Sequence, residues 1–238
     1  MKTTGMILGA IGALTCTTGV ALAGPIAVDF RGTALGRSAS VTFQSGDSAA
    51  FTNRNLFVGQ LIHRLGTGAS AKDFITYCID LTQSAGDGTF NLTSLNNAPV
   101  TSPAPSSKWE LGHAQIDALN SLYNADADSV NTNARAAAFQ AAIWEIVFDW
   151  ESVDGGTFSS GDTSNMLGGR VRINNNVSNS LYAGYLTSAV AGLDTSGRLA
   201  AITSESRQDQ LVVIPLPGAG ALAGAGMLMV ATRRRRSI

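Results

Sequence analysis

Phe74-Ile75-Thr76-Tyr77-Cys78-Ile79-Asp80-Leu81 is the stretch on which the reading of this chain turns. As a strand it sends Ile75, Tyr77, Ile79 and Leu81 to one face and Phe74, Thr76, Cys78 and Asp80 to the other. Cys78 therefore falls on the more polar face. A purely structural cysteine packs as a small hydrophobe and would more naturally join the Ile/Leu face.

Upstream, short alternating runs at residues 40–44 and 56–65, broken by Gly, Ser and Asn, read as further strands of an antiparallel sheet. Residues 96–107 hold Pro99, Pro103 and Pro105 and can sustain neither ladder nor helix, so they read as a surface loop between a β-rich and a helix-rich part. Three helices are expected after it, over residues 114–123, 133 to about 150, and 177 to about 191. Residues 154–169 read as a hairpin or irregular loop and 208–213 as a closing strand. The expected class is α+β: an antiparallel β-rich sandwich or half-barrel followed by a helical part.

The second helix carries Phe139-Gln140-Ala141-Ala142-Ile143-Trp144. Its apolar stripe is Ala136, Phe139, Ile143, Ile146, Val147 and Trp150, and Gln140 borders that stripe beside Ile143, Trp144 and Val147. A primary amide there needs hydrogen-bond partners or loses free energy on burial. Condensation with a thiol removes its two N–H donors and leaves one carbonyl. Attack of the Cys78 thiolate on the Gln140 carboxamide carbon, with loss of ammonia, would store an acyl-thioester that a later amine or hydroxyl can open. Such a device turns over once and is not an enzyme.

Tyr77-Cys78-Ile79 and Gln140-Ala141-Ala142-Ile143-Trp144 resemble the two motifs of thioester domains from bacterial surface adhesins, an aromatic-Cys-aliphatic strand and a Gln-x-x-Ile-Trp helix. The resemblance extends loosely over residues 28–213. It implies a β-rich part joined to a helical part, a Cys78–Gln140 crosslink supported by Tyr77, Asp80, Ile143 and Trp144, and covalent attachment to a surface or matrix nucleophile. Phe139 stands where those domains often have Thr. Two other readings of the residues stay open: an inert buried Cys78 with a separately hydrogen-bonded Gln140, and a disulfide-linked dimer through Cys78.

Both ends of the 238-residue chain carry export signals. An uncharged stretch from residue 6 to 22 follows Lys2 and closes on Ala21-Leu22-Ala23, a form suited to signal peptidase, so residues 1–23 read as a signal peptide that takes Cys16 away with it. At the other end Pro215-Leu216-Pro217 leads into a Gly/Ala/Leu/Met run and then Arg233, Arg234, Arg235 and Arg236. Counted from Leu211, the apolar part is long enough to span a bilayer, with the arginines holding its end in the cytoplasm. Residues 214–238 resemble the PEP-CTERM sorting signal of Gram-negative bacteria, with Leu216 where that motif usually has Glu. The resemblance implies recognition by an exosortase and at least transient anchoring in the inner membrane. The domain of residues 24–213 would then lie outside the cytoplasm, in the envelope, on the surface or in an extracellular matrix.

Without Lys2 and the terminal arginines the net charge is −6, which argues against nucleic acid as a partner. Residues 124–128 mimic the start of a calcium loop, but Ser129 replaces the turn glycine and Arg135 the bidentate glutamate. One mature cysteine and two scattered histidines, His63 and His113, assemble neither a zinc site nor a Cys/His hydrolase. No cofactor is expected. The covalent reading stands beside a noncovalent one, an envelope or biofilm-matrix structural protein with an inert cysteine.

Overall fold

The computed structural model describes residues 25–44, 50–66, 71–98, 111–150, 166–192 and 196–214. The signal peptide, the Pro-Leu-Pro motif, the arginine cluster, Trp109 and nearly all of the proposed hairpin at 154–169 lie outside them. The class is α+β, an antiparallel β-rich body with three helices.

Among the described residues there are seven strands: β1 (Ile26–Phe43), β2 (Phe51–Leu65), β3 (Lys72–Cys78), β4 (Gly88–Thr93), β5 (Val171–Ile173), β6 (Leu199–Thr203) and β7 (Gln210–Val213). Their order is β2-β3-β7-β6-β4-β1-β5, every pairing is antiparallel, and β1 also pairs with β2. The pairings therefore close a six-strand ring, with β5 added at the far end of β1. Closure gives each of those six strands a partner on both sides along part of its length. The expected class, a β-rich body followed by helices, is the one found, and strands from the end of the chain complete the sheet begun at its start. Non-local pairing, which no local pattern encodes, brings β5, β6 and β7 back.

The helices are α1 (His113–Asp126), α2 (Asn133–Phe148) and α3 (Asn179–Ala191). Thr132 caps α2 by accepting from the Arg135 N–H. At its other end the Gln115 side chain donates to the Ile146 and Val147 carbonyls, and the Asp149 carboxylate accepts from the Arg170 and Val171 N–H groups. The sequence assigned α2 an apolar stripe. Instead every residue from Ala136 to Phe148 is buried, because α2 packs against β1, β2 and β3 on one side and α1 and α3 on the other. A helix in the middle layer is apolar on nearly every side, with Gln140 and Glu145 the buried polar exceptions between Ala136 and Phe148.

Alternation along β6 and β7 divides two apolar clusters. Ala201 and Leu211 join the large cluster around α2, whereas Ala200, Ile202 and Val212 meet Val28 and Phe90 in a smaller one. Leu211 and Val212 are thus core residues of the sheet. No helix among the described residues is long and apolar enough to cross a membrane.

His63 lies fully buried among Phe30, Phe74 and Phe90. Thr76 Oγ1 donates to Gln210 Oε1, so it accepts from His63 Nδ1, and this network assigns the Nδ1–H tautomer. Nε2 is left without a partner, and burial lowers the pKa to about 4, against a smaller opposing pull from Asp87. The unfolded chain takes up this proton near pH 6.5 and the folded one only near 4. Stability should accordingly fall as pH drops from 6.5 to 4, by up to about 3 kcal/mol, and change no further from this group below that. Urea unfolding at pH 7 and pH 4.5 tests this, and a wild-type loss no greater than that of His63→Gln would refute it.

Candidate functional site

Cys78 ends β3 and Gln140 lies mid-way along α2; they are 5% and 0% exposed. The Ile79 N–H donates to Asp209 O beside β7, so backbone alternation turns the Cys78 N–H and C=O the other way, toward β2. There the β2–β3 register stops at Gln60↔Tyr77. The next β2 residue, Gly59, belongs to an irregular stretch of the β1–β2 ladder, where it meets Gly36 so closely that neither position has room for a Cβ. Diverging strands thus leave one peptide's worth of ladder unfilled, and the Gln140 amide fills it. The Cys78 N–H donates to Gln140 Oε1 at 2.9 Å, and Gln140 Nε2 donates to the Cys78 carbonyl at 2.8 Å.

Trp144, one turn beyond Gln140 on the same helix face, donates from Nε1 to Cys78 Sγ at 3.4 Å. The thiol itself donates to the Asp80 carbonyl at 3.1 Å. Burial pushes the Cys78 thiol well up from its ordinary value, the Trp144 donor draws it down, and the charges of Asp80 and Asp209 add to the rise. The sulfur is therefore a protonated thiol that must surrender its proton during attack rather than before it. The Cys78 N–H is already aimed at the oxygen on which charge would develop, an arrangement of the oxyanion-hole type. Gln140 Nε2, held against the Cys78 carbonyl, is the nitrogen that would leave with that proton.

The supporting residues fall around this contact. Ile143 is fully buried on α2, and the Tyr77 ring lies 5.0 Å from that of Phe139 with its hydroxyl accepting from Gln60 Nε2. The expectation that put Cys78 on a more polar face is corrected: residues 76–81 are buried throughout, Ile75 is exposed, and Cys78 belongs to the main core. α2 covers one face of the ring here and the ring interior the other, so alternation carries no polarity signal. Asp80 is fully buried, its Oδ1 accepting from the Thr82 N–H and hydroxyl while Oδ2 has no partner, and burial raises its pKa. Cys78 is a free, buried thiol.

A cavity of about 220 Å³ opens over Cys78 and Trp144. Arg54, Leu56, Phe57 and Gly59 of β2 line it, together with Gln83 and Gln208 from chain segments near the end of β3 and the start of β7. None of these residues stood out in the sequence. They share no motif, and only folding gathers them. Residues 124–129, the calcium-loop mimic, form the end of α1 and a following 3-10 turn, and no group of three or more His, Cys, Asp or Glu side chains among the described residues could hold a metal ion. No protein-family model, curated protein or solved structure matches this chain.

Proposed function

We propose that this is an exported surface or matrix protein whose Cys78 and Gln140 condense into an internal thioester for covalent attachment to an amine or hydroxyl. The observation that carries the reading is the docking of the Gln140 carboxamide on the backbone of Cys78 itself, with Oε1 held by an N–H donor. In the forming step Sγ attacks the amide carbon, the C–N bond breaks, and the thiol proton leaves with nitrogen as ammonia through the cavity. In the transfer step a nucleophile attacks the same carbon, the C–S bond breaks, and the nucleophile's proton restores the Cys78 thiol. Export by signal peptidase and sorting by an exosortase, with the tail passing through the inner membrane, belong to the same proposal.

The intact mass of the purified ectodomain should fall one ammonia short of the sequence mass. Methylamine should convert that deficit to an adduct on Gln140, and Cys78→Ala should abolish both. A full sequence mass with an alkylatable thiol would sink the covalent reading. One observation favours the alternative of an inert cysteine in a noncovalent matrix protein: the uncondensed amide already satisfies Oε1 and donates from Nε2. A deficit that methylamine cannot open would instead mark a stabilising staple, worth about 4 kcal/mol by analogy with a disulfide closing a loop of this length.

A further inference from the structure

The cavity over Cys78 has a marked charge asymmetry. Among the described residues, Arg54 is the only charged one that lines it, and none of the lining residues is a carboxylate. The Arg54 guanidinium rests 4.9 Å from the centroid of the Phe51 ring, and no carboxylate among the described residues pairs with it. The cavity thus offers a cation in the space over Cys78 and Trp144.

Resting on the thioester reading, we propose that this cavity selects amines borne on anionic carriers: Arg54 pairs with a carboxylate or sulfonate a few bonds from the attacking nitrogen. An ammonium-bearing carrier meets Arg54 with like charge and finds no carboxylate among the described lining residues to offset it. The bonds made and broken are those of the transfer step: nitrogen bonds to the Gln140 acyl carbon, the C–S bond breaks, and the proton released by nitrogen ends on Cys78 Sγ.

The test uses ectodomain whose mass deficit has been verified, exposed separately to taurine, ethanolamine and (2-aminoethyl)trimethylammonium, three two-carbon amines that differ in carrier charge. Adduct formation is followed by intact mass, and rates are corrected to the free-base concentration of each amine. Taurine should react about tenfold faster than the quaternary amine, with ethanolamine between, and the spread should shrink in high salt. The exposed Arg54→Glu change should reverse the order without affecting folding. Equal rates, or an order untouched by Arg54→Glu, in protein that still adds methylamine would overturn this proposal alone. A starting protein of full sequence mass would overturn the thioester reading with it.

Discussion

Truncation of Gln140 to alanine is expected to destabilise the domain by about 4 kcal/mol or more. The side chain is fully buried and occupies both hydrogen-bonding groups of the Cys78 peptide unit. Leaving each of those backbone groups buried and unpaired costs about 1–3 kcal/mol, and the space vacated in the middle layer adds to it. Cys78→Ala provides the contrast. Gln140 bonds to the main chain at position 78 rather than to the sulfur, so this clamp survives the change. With the thioester present, Cys78→Ala should still cost about 4 kcal/mol through loss of the crosslink. Without it, only a small side-chain volume is lost and the cost should stay under about 1 kcal/mol. Urea denaturation of the three proteins gives the values, and a Gln140→Ala variant as stable as wild type would refute the structural role assigned to the amide.

Phe139→Ala should produce a loss of similar size, about 4 kcal/mol, read as a drop of roughly 12 °C in Tm for a domain of this length. The ring is fully buried and stands 5.0 Å from Tyr77, 6.0 Å from Tyr123 and 5.3 Å from Tyr185. It joins β3, α1 and α3 to α2 at the residue next to the candidate acyl donor, and edge-to-face aromatic contacts add to the area buried. A threonine here would leave most of the aromatic volume empty and bury a hydroxyl, so Phe139→Thr should be as damaging as the alanine. A loss below about 1 kcal/mol in thermal unfolding of Phe139→Ala would show that the cluster does not hold the layers together.

Local patterning carried the strands and helices well where one face met the core. β2, α1 and α3 lie close to their expected positions, and residues 208–213 close the sheet as read. β4 and β6 went unread, since each is short and finds its partners far away in the chain. The two motif residues were also legible, because an aromatic-Cys-aliphatic strand and a Gln-x-x-Ile-Trp helix are local signals. Their surroundings were misjudged for one reason: residues 76–81 and α2 are covered on every side, so alternation and helical periodicity lose the polarity contrast on which they depend.

By itself, the sequence determined the class of the fold, the strand that holds Cys78 and the helix that holds Gln140, because backbone periodicity and side-chain chemistry act within a few residues. The tertiary structure alone decided that the two meet. The sixty-two positions between them permit contact without requiring it. What brings them together is the ring closure of β1 on β2, the close Gly36–Gly59 passage where β2 leaves β3, and the gap that results on the Cys78 peptide. A buried N–H and C=O cannot go unpaired, and the amide of Gln140 is the group the middle helix supplies to that gap.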